Sequence, residues 1–497
     1  MAYIPTSEDI ALLSQHSREI YSRIDILNKD FKTIDSVQGV TLDGTVSIDA
    51  ESDIRRTYNS TIHLADNNYI TAENALIWMD KYVQIYLGVK GPGSQKPSWY
   101  SLGLFKFCTN GFNYSQTDKT LSVSCVDLTA TLDGTLSGEL TGLSTEISEG
   151  EIIREVLVRL VHQLGGYDKY LISYADKKVP YDLKYGAASS IYSIVKEVRD
   201  LFYLYETFFD GRTFVCQEVP TCEDDPVFLP AEVLDPLVVS ESTNSDFSVI
   251  RNCTEVWGKV LTATYSAGSS TLSEGVYALS VEQYKQRQKS RVSFIPPESN
   301  PASALIQINE EEACPLVDEE GRPLAAGTMV GGKLCVVCYE DGKFFYLGQS
   351  QAHAMVMLVG REPTPEEIAE AKRAEGCDNL KFIVLPESPF TIEKIGRKNQ
   401  VLQGGEYDHI TSDALAMQRA EYENWKSTRL TDSVSIEALL IPWLDVNKKV
   451  SYTPRYDPAL GTLQYIVKHI EFSLKSGTMT VSMCRFFPYY PYIIDKS

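Results

Sequence analysis

The chain has 497 residues with 67 acidic against 46 basic side chains, a net charge of −21. That is too long for one core and too acidic for a sequence-independent grip on nucleic acid. Hydrophobic residues make up 43% and aromatics 10%, enough for about three or four packed domains of roughly 150 residues each. The 29 tyrosines against six histidines suit half-buried strands and contact surfaces better than proton transfer. No run reaches the ~18 apolar residues of a membrane span, and residues 1–10 lack the charged and apolar regions of a secretion signal. The ten cysteines are therefore expected as reduced thiols, with Cys125 and Cys253 as small apolar strand residues. The Asn-x-Ser/Thr triplets at Asn59, Asn113 and Asn252 then carry no glycan.

In chain order, residues 7–20 form a short helix capped by Ser7, with Ile10, Leu13 and Ile20 on one side. Val40 and Leu42, then Asp43-Gly44, then Val46 and Ile48 suggest a hairpin. Tyr58, Ser60, Ile62 and Leu64 share one strand face and His63 points away. Val83, Ile85 and Leu87 form the next inward face. Trp99–Cys108 and Leu121–Val126 complete a domain of five or six strands.

Near Thr145 the period changes to helical. Ser148 and Glu151 form a capping box, Ile152 to Leu164 carry one apolar stripe, and Gly165-Gly166 ends the helix. A second helix follows Ser189, with Ile191, Ile194, Val195, Val198, Leu201 and Phe202 on its buried face. The Tyr203–Cys216 hairpin, turning at Asp210-Gly211, completes a small α+β domain. Residues 220–237 read as a Pro- and acid-rich linker, and Val249–Tyr265 returns to strand character.

Residues 273–411 are too many for a loop and must hold structure of their own. A hairpin turns there at Asp341-Gly342, and Thr364 with Glu367 caps a charged helix through Ala374. Ser412–Leu430 is a polar helix that buries Leu415, Tyr422 and Trp425. In the final sheet Val434, Ile436, Ala438 and Leu440 face one way. Met479, Val481 and Met483 alternate likewise after the turn at 475–478.

The run Pro442-Trp443-Leu444-Asp445-Val446-Asn447, then Tyr465-Ile466-Val467-Lys468, then Gly477-Thr478-Met479-Thr480-Val481, resembles the closing signature of phage tail hub proteins from prophages of Gram-positive bacteria. Ile54-Arg55-Arg56-Thr57, Gly88, Trp99, Leu102-Gly103-Leu104-Phe105 and Asp127 resemble the order of that family's first barrel. Val256-Trp257-Gly258-Lys259-Val260 resembles the entry into its second. The likeness covers about residues 20–270 and 412–492.

The resemblance implies an α+β, mainly β chain with two antiparallel β-barrel hub domains, a small helical α+β domain and an inserted β-rich module. The expected divisions are 1–20 as an N-terminal helix or arm; 21–135 with 213–245 as the first barrel; 136–212 as the helical domain; 246–275 with 412–497 as the second barrel; and 276–411 as an inserted peripheral module. Similar proteins are trimeric structural hubs, so the resemblance implies a homotrimer in the virion tail, made in the bacterial host cytoplasm. Its implied partners are the tail tube or distal tail protein, the tape-measure protein, and spike, fibre or other baseplate proteins. DNA would pass through an acidic channel without specific binding, and there is no membrane anchor. The other readings are a tail-associated cell-wall hydrolase and a receptor- or glycan-binding tail protein.

Motifs that carry chemistry are incomplete. Gly327–Leu334 nearly spells a phosphate loop, but Leu334 stands where a hydroxyl is needed. Cys335 and Cys338 have a metal-knuckle spacing, with Cys314 and Cys377 nearby, but no second knuckle follows. Gly348-Gln349-Ser350-Gln351-Ala352, followed by His353, lacks the second glycine of a nucleophile elbow. The clusters Glu310-Glu311-Glu312, Asp318-Glu319-Glu320 and Glu366-Glu367 read as solvated faces. No catalytic, cofactor-binding or metal residue is assigned, and the chain is expected not to be an enzyme.

Overall fold

The computed structural model describes residues 3–15, 17–38, 41–63, 70, 76–140, 145–148, 150–174, 176–179, 183–187, 189–201, 205–222, 226–244, 247–261, 263–318, 320–349, 351–410, 412–428 and 433–485. The chain forms two compact units, one of residues 1–245 with 431–489 and one of residues 246–430 with 490–497.

The first unit is organised by one large antiparallel sheet. Its strands are β1 (Glu19–Leu27), β2 (Thr33–Gln38), β3 (Thr41–Asp49), β4 (Arg56–His63), β5 (Tyr82–Lys90), β6 (Ser98–Ser115), β7 (Thr120–Asp127), β8 (Val238–Asn244), β9 (Ser433–Leu439), β10 (Lys449–Tyr452), β11 (Leu463–Ser473) and β12 (Thr478–Cys484). They run in the order β8-β9-β12-β11-β3-β4-β7-β6-β5-β1-β2, with β10 beside β11. Period-two alternation sets the buried face. Val83, Ile85 and Leu87 of β5, Val434, Ile436 and Ala438 of β9, and Met479, Val481 and Met483 of β12 all enter one continuous core.

Three expectations change here. The first helix is shorter, Ser7–Leu13, and Thr6 caps it rather than Ser7. Thr6 Oγ1 accepts from Asp9 N, and the Asp9 carboxylate accepts from Thr6 N at 2.7 Å. Asp43-Gly44 is not a hairpin turn, because β3 runs straight through it with a bulge between Thr41 and Asp43. Glycine is wanted there for close approach: a Cβ on Gly44 would lie 3.0 Å from Ser60 Cβ and 3.2 Å from Leu474 Cδ1.

The third change concerns the domains. The opening and closing segments share one sheet, joined where His469–Ser473 of β11 pair with Thr45–Asp49 of β3. Residues 246–275 do not accompany the closing strands. Alternation fixes which face of a strand is buried and leaves its neighbour open, so the distant pairing was not available to a local reading.

The helical layer caps this unit. Ile153–Val158 begins the first helix, which continues as a wider turn over Arg159–Leu164 and stops at Gly165. Only half of the expected capping box forms: Ser148 N donates to Glu151 Oε1 at 2.7 Å, and the helix begins after Ile152 without a side-chain cap. Ile191–Arg199 follows, with Ser190 Oγ accepting from Ser193 N at 3.1 Å. The two apolar stripes bury against each other and against Phe209 and Phe214 of the Tyr205–Asp210 and Thr213–Glu218 hairpin.

In the second unit, strands Leu380–Val384, Gln351–Val359, Cys253–Val260 and Asn399–Leu402 form a four-stranded sheet in that order. The helix Asp413–Ser427 packs on its two central strands through Ala416, Ala420 and Trp425. Leu415 and Tyr422, placed inward by the sequence, are only half-buried. Seven strands between Tyr265 and Gln349 close into a barrel. Its last hairpin turns on Asp341 (φ 46°) and Gly342 (φ 78°), the two left-handed residues that a two-residue turn requires. The closed barrel thus lies inside the segment read as an α+β insertion, and it takes in Tyr265–Ser273, which the sequence placed in the second hub barrel. Val40, Leu64, Phe202, Tyr203 and Leu430, which the sequence assigns to elements, lie outside the described residues.

Candidate functional site

Most of the residues that carry the family resemblance lie in the first unit, whereas Val256–Val260 lies in the second. Arg55 and Arg56 lead into β4, and β7 ends at Asp127. The Asp127 carboxylate accepts from Arg56 N at 2.8 Å and from Thr129 N at 2.8 Å, fixing the turn after β7. Burial raises the Asp127 carboxyl above its ordinary value despite these two bonds. Arg56 Nη2 donates to Asp445 Oδ2 at 2.6 Å. Burial alone would raise Asp445, but the Arg56 charge and its hydrogen bond outweigh that and hold the carboxyl below its ordinary value.

Arg55 pairs with Glu206 of the helical layer, and both side chains are almost fully buried, at 4% and 6% exposure. Its guanidinium also lies 3.9 Å above the Phe208 ring. Glu206 is fully bonded: Asn447 Nδ2 donates to the same oxygen as Arg55, and Gln217 Nε2 donates to the other at 2.8 Å. Lys468 Nζ donates to Asn447 Oδ1 at 3.2 Å. One network therefore ties the opening strands, the helical layer and the closing strands.

The neighbouring motif residues serve the same junction. Trp443 packs on Tyr100 at 5.3 Å between centroids, and the Tyr100 hydroxyl donates to Asp9 at 2.6 Å. Gly103 (φ 147°) lets Arg56 pass, since a Cβ there would lie 2.9 Å from Arg56 Cδ. Gly88 lies flat under Trp99, where a Cβ would meet the ring at 2.8 Å. Asn447 holds φ 54°, a left-handed position that asparagine tolerates.

Chemically this is an anchor. A buried ion pair yields little net stability over an apolar pair of the same shape, but it strongly penalises any arrangement that leaves one charge unpaired. Glu206 is the member no motif flagged; its only signal is a carboxylate in a strand rich in aromatic residues, Tyr205–Asp210.

Lys333, the lysine of the phosphate-loop-like run, is paired with Asp413, and a strand rather than a helix follows it. Gly331 fits against the Glu298 backbone, where a Cβ would lie 2.7 Å from the carbonyl carbon. Cys335 points into the barrel core, where burial pushes its thiol up to about 12, while Cys338 is half-exposed. Cys314 and Cys377 are buried free thiols. His353 stacks on Trp257 at 3.6 Å and bonds Glu255 at 2.8 Å; Ser350 lies outside the described residues. Glu310, Glu311, Glu312 and Glu320 are exposed, and Glu319 lies outside the described residues. Among the described residues no cluster of three or more His, Cys, Asp or Glu could hold a metal ion, and no helix is long and apolar enough to cross a membrane.

Residues 387–490 match the family model of a domain of unknown function (DUF5048). No curated protein matches the chain. Among solved structures, the tail protein from Neisseria meningitidis MC58 is similar over 93% of this chain and 96% of its own, at 8% identity and a TM-score of 0.47. The prophage MuSo2 43 kDa tail protein from Shewanella oneidensis covers 94% and 98%, at 11% identity and 0.46. Prophage tail protein gp18 from Listeria monocytogenes EGD-e covers 95% and 96%, at 8% identity and 0.40.

Proposed function

We propose that this chain is a structural hub protein of a phage tail: a homotrimer that joins the tail tube or distal tail protein to spike or fibre proteins and surrounds the exit channel for the tape-measure protein and DNA. The observation that carries this reading is the joining of the opening and closing strand sets into one sheet at β3 and β11, locked by Arg55, Arg56, Glu206, Asp445 and Asn447. Two strand sets, opening and closing, joined in one chain give six positions when three chains meet. β2 and β8 close the two ends of the sheet order and offer their outer edges to a neighbouring copy. The net charge of −21 suits a channel that DNA must pass without sticking.

Arg55, Glu206, Gln217 and Asn447 hold one another, which favours a scaffold over a catalyst. Light scattering of the purified chain tests the reading. A particle of three chain masses that appears as a ring in electron micrographs is expected. A chain that stays monomeric at high micromolar concentration overturns it.

A further inference from the structure

The barrel of the second unit carries an open cleft of ≈ 770 Å³ between the start of its first strand and the loop 282–289. Thr264, Tyr265 and Ser266 line one side, and Glu282, Gln283, Tyr284, Lys285 and Arg287 the other. The Tyr265 and Tyr284 rings meet edge to face, with centroids 5.2 Å apart and planes at 72°. Together they form an aromatic corner rather than a flat wall.

The loop that carries this corner is fixed at both ends. Val281 N donates to Asn309 Oδ1 at 2.9 Å and Asn309 Nδ2 returns the bond to Val281 O at 2.8 Å. Asp341 N donates to Gln288 Oε1 at 3.0 Å, and Lys289 N to Tyr339 O at 2.7 Å. Gln283 is held at φ 57°, a costly conformation for a residue with a side chain.

Against this rigid frame the polar groups are left free. The side chains of Glu282, Gln283, Lys285 and Arg287 are exposed, and among the described residues none is hydrogen-bonded or ion-paired. Elsewhere on the same barrel Arg322 is paired with both Asp318 and Glu320. A preorganised site with apolar faces and a few unused donors and acceptors is what a small polar ligand needs.

We infer that this cleft binds a saccharide. A pyranose has an apolar C–H face that fits against a tyrosine ring and a rim of hydroxyls that needs both donors and acceptors; the corner supplies the first and Glu282, Gln283, Lys285 and Arg287 the second. A nucleic acid strand fits less well, because the two cations sit beside a carboxylate on an acidic chain. The inference is independent of the trimeric ring: a monomeric chain that binds sugar removes the ring and keeps the cleft.

The test uses the full chain on a printed panel of bacterial and host oligosaccharides, both neutral and phosphate-bearing, with any hit titrated by calorimetry. At least one hit is expected, weakened about tenfold by Tyr284→Ala and less by Arg287→Ala. Tyr284→Phe retains binding, because the Tyr284 hydroxyl is buried without a partner among the described residues and does not serve the ligand. Arg287 is exposed, so its alanine variant reports on binding even if Tyr284→Ala fails to fold. Silence across the panel, hits that none of these variants weakens, or binding to a single-stranded oligonucleotide instead overturns the inference.

Discussion

Arg56 reaches Asp445 across 389 positions of the chain, with Nη2 donating to Oδ2 at 2.6 Å. This bond crosses from the first strands to the loop before β10, so it registers whether the opening and closing segments have met. The Asp445 side chain is 35% exposed, and solvent moderates the pair. Asp445→Ala is expected to lower stability by about 1–2 kcal/mol in urea unfolding at neutral pH.

The same pair gives a pH signature. The folded carboxyl titrates below its unfolded value. Its contribution is therefore complete above the ordinary aspartate pKa of about 3.9 and is lost as the pH falls below that through the depressed value. Asp445→Asn should show a shallower stability loss between about pH 4 and pH 2 than the parent chain. Parallel slopes in that interval refute the assignment.

Glu206 is more deeply buried and holds three donors, from Arg55, Asn447 and Gln217. Glu206→Ala strands a buried guanidinium and should cost about 3–5 kcal/mol. An apolar double replacement, Arg55→Met with Glu206→Leu, is expected to recover much of that loss in the same urea titration. Equal losses in the single and double variants would contradict the view of this pair as an anchor of specificity.

Gly103→Ala forces a Cβ to within 2.9 Å of Arg56 Cδ at φ 147° and should cost about 2 kcal/mol or more. At Gly93 (φ 82°) nothing lies within 4 Å of the point a Cβ would occupy, so Gly93→Ala bears only the backbone contribution of about 1 kcal/mol. Thermal melts of the two variants should separate in that order.

The helix Pro365–Glu375 rests on its caps: Thr364 Oγ1 accepts from Glu367 N at 3.3 Å, and Gly376 ends the helix at φ 64°. None of its residues is fully buried, and its first turn is held further by the Glu367 carboxylate, which accepts from Thr364 N at 2.9 Å and from Arg361 Nη1 and Nη2 at 2.9 and 2.6 Å. Thr364→Ala should cost about 1 kcal/mol locally. Faster hydrogen exchange at residues 365–368, with the barrel strands unchanged, is the expected readout.

What the amino-acid order determined by itself is local. The inward faces of β5, β9 and β12, the Asp341-Gly342 turn and the Thr364 cap all depend on residues within a few positions of one another, where side-chain period and backbone preference act directly. The helix stripes at 153–161 and 191–198 were legible for the same reason. Tertiary structure alone decided which edges met. β3 could have paired with any strand of matching alternation, and its union with β11 closes a loop hundreds of residues long, at a cost that depends only weakly on length; Tyr265–Ser273 joins the closed barrel by pairing with the two strands Val276–Val281 and Ser290–Phe294 that follow it. The resemblance marked Arg56, Asp127 and Asp445 one by one. Only folding brought Glu206 beneath Arg55, where the need to pair a buried charge makes the assembled arrangement the favoured one.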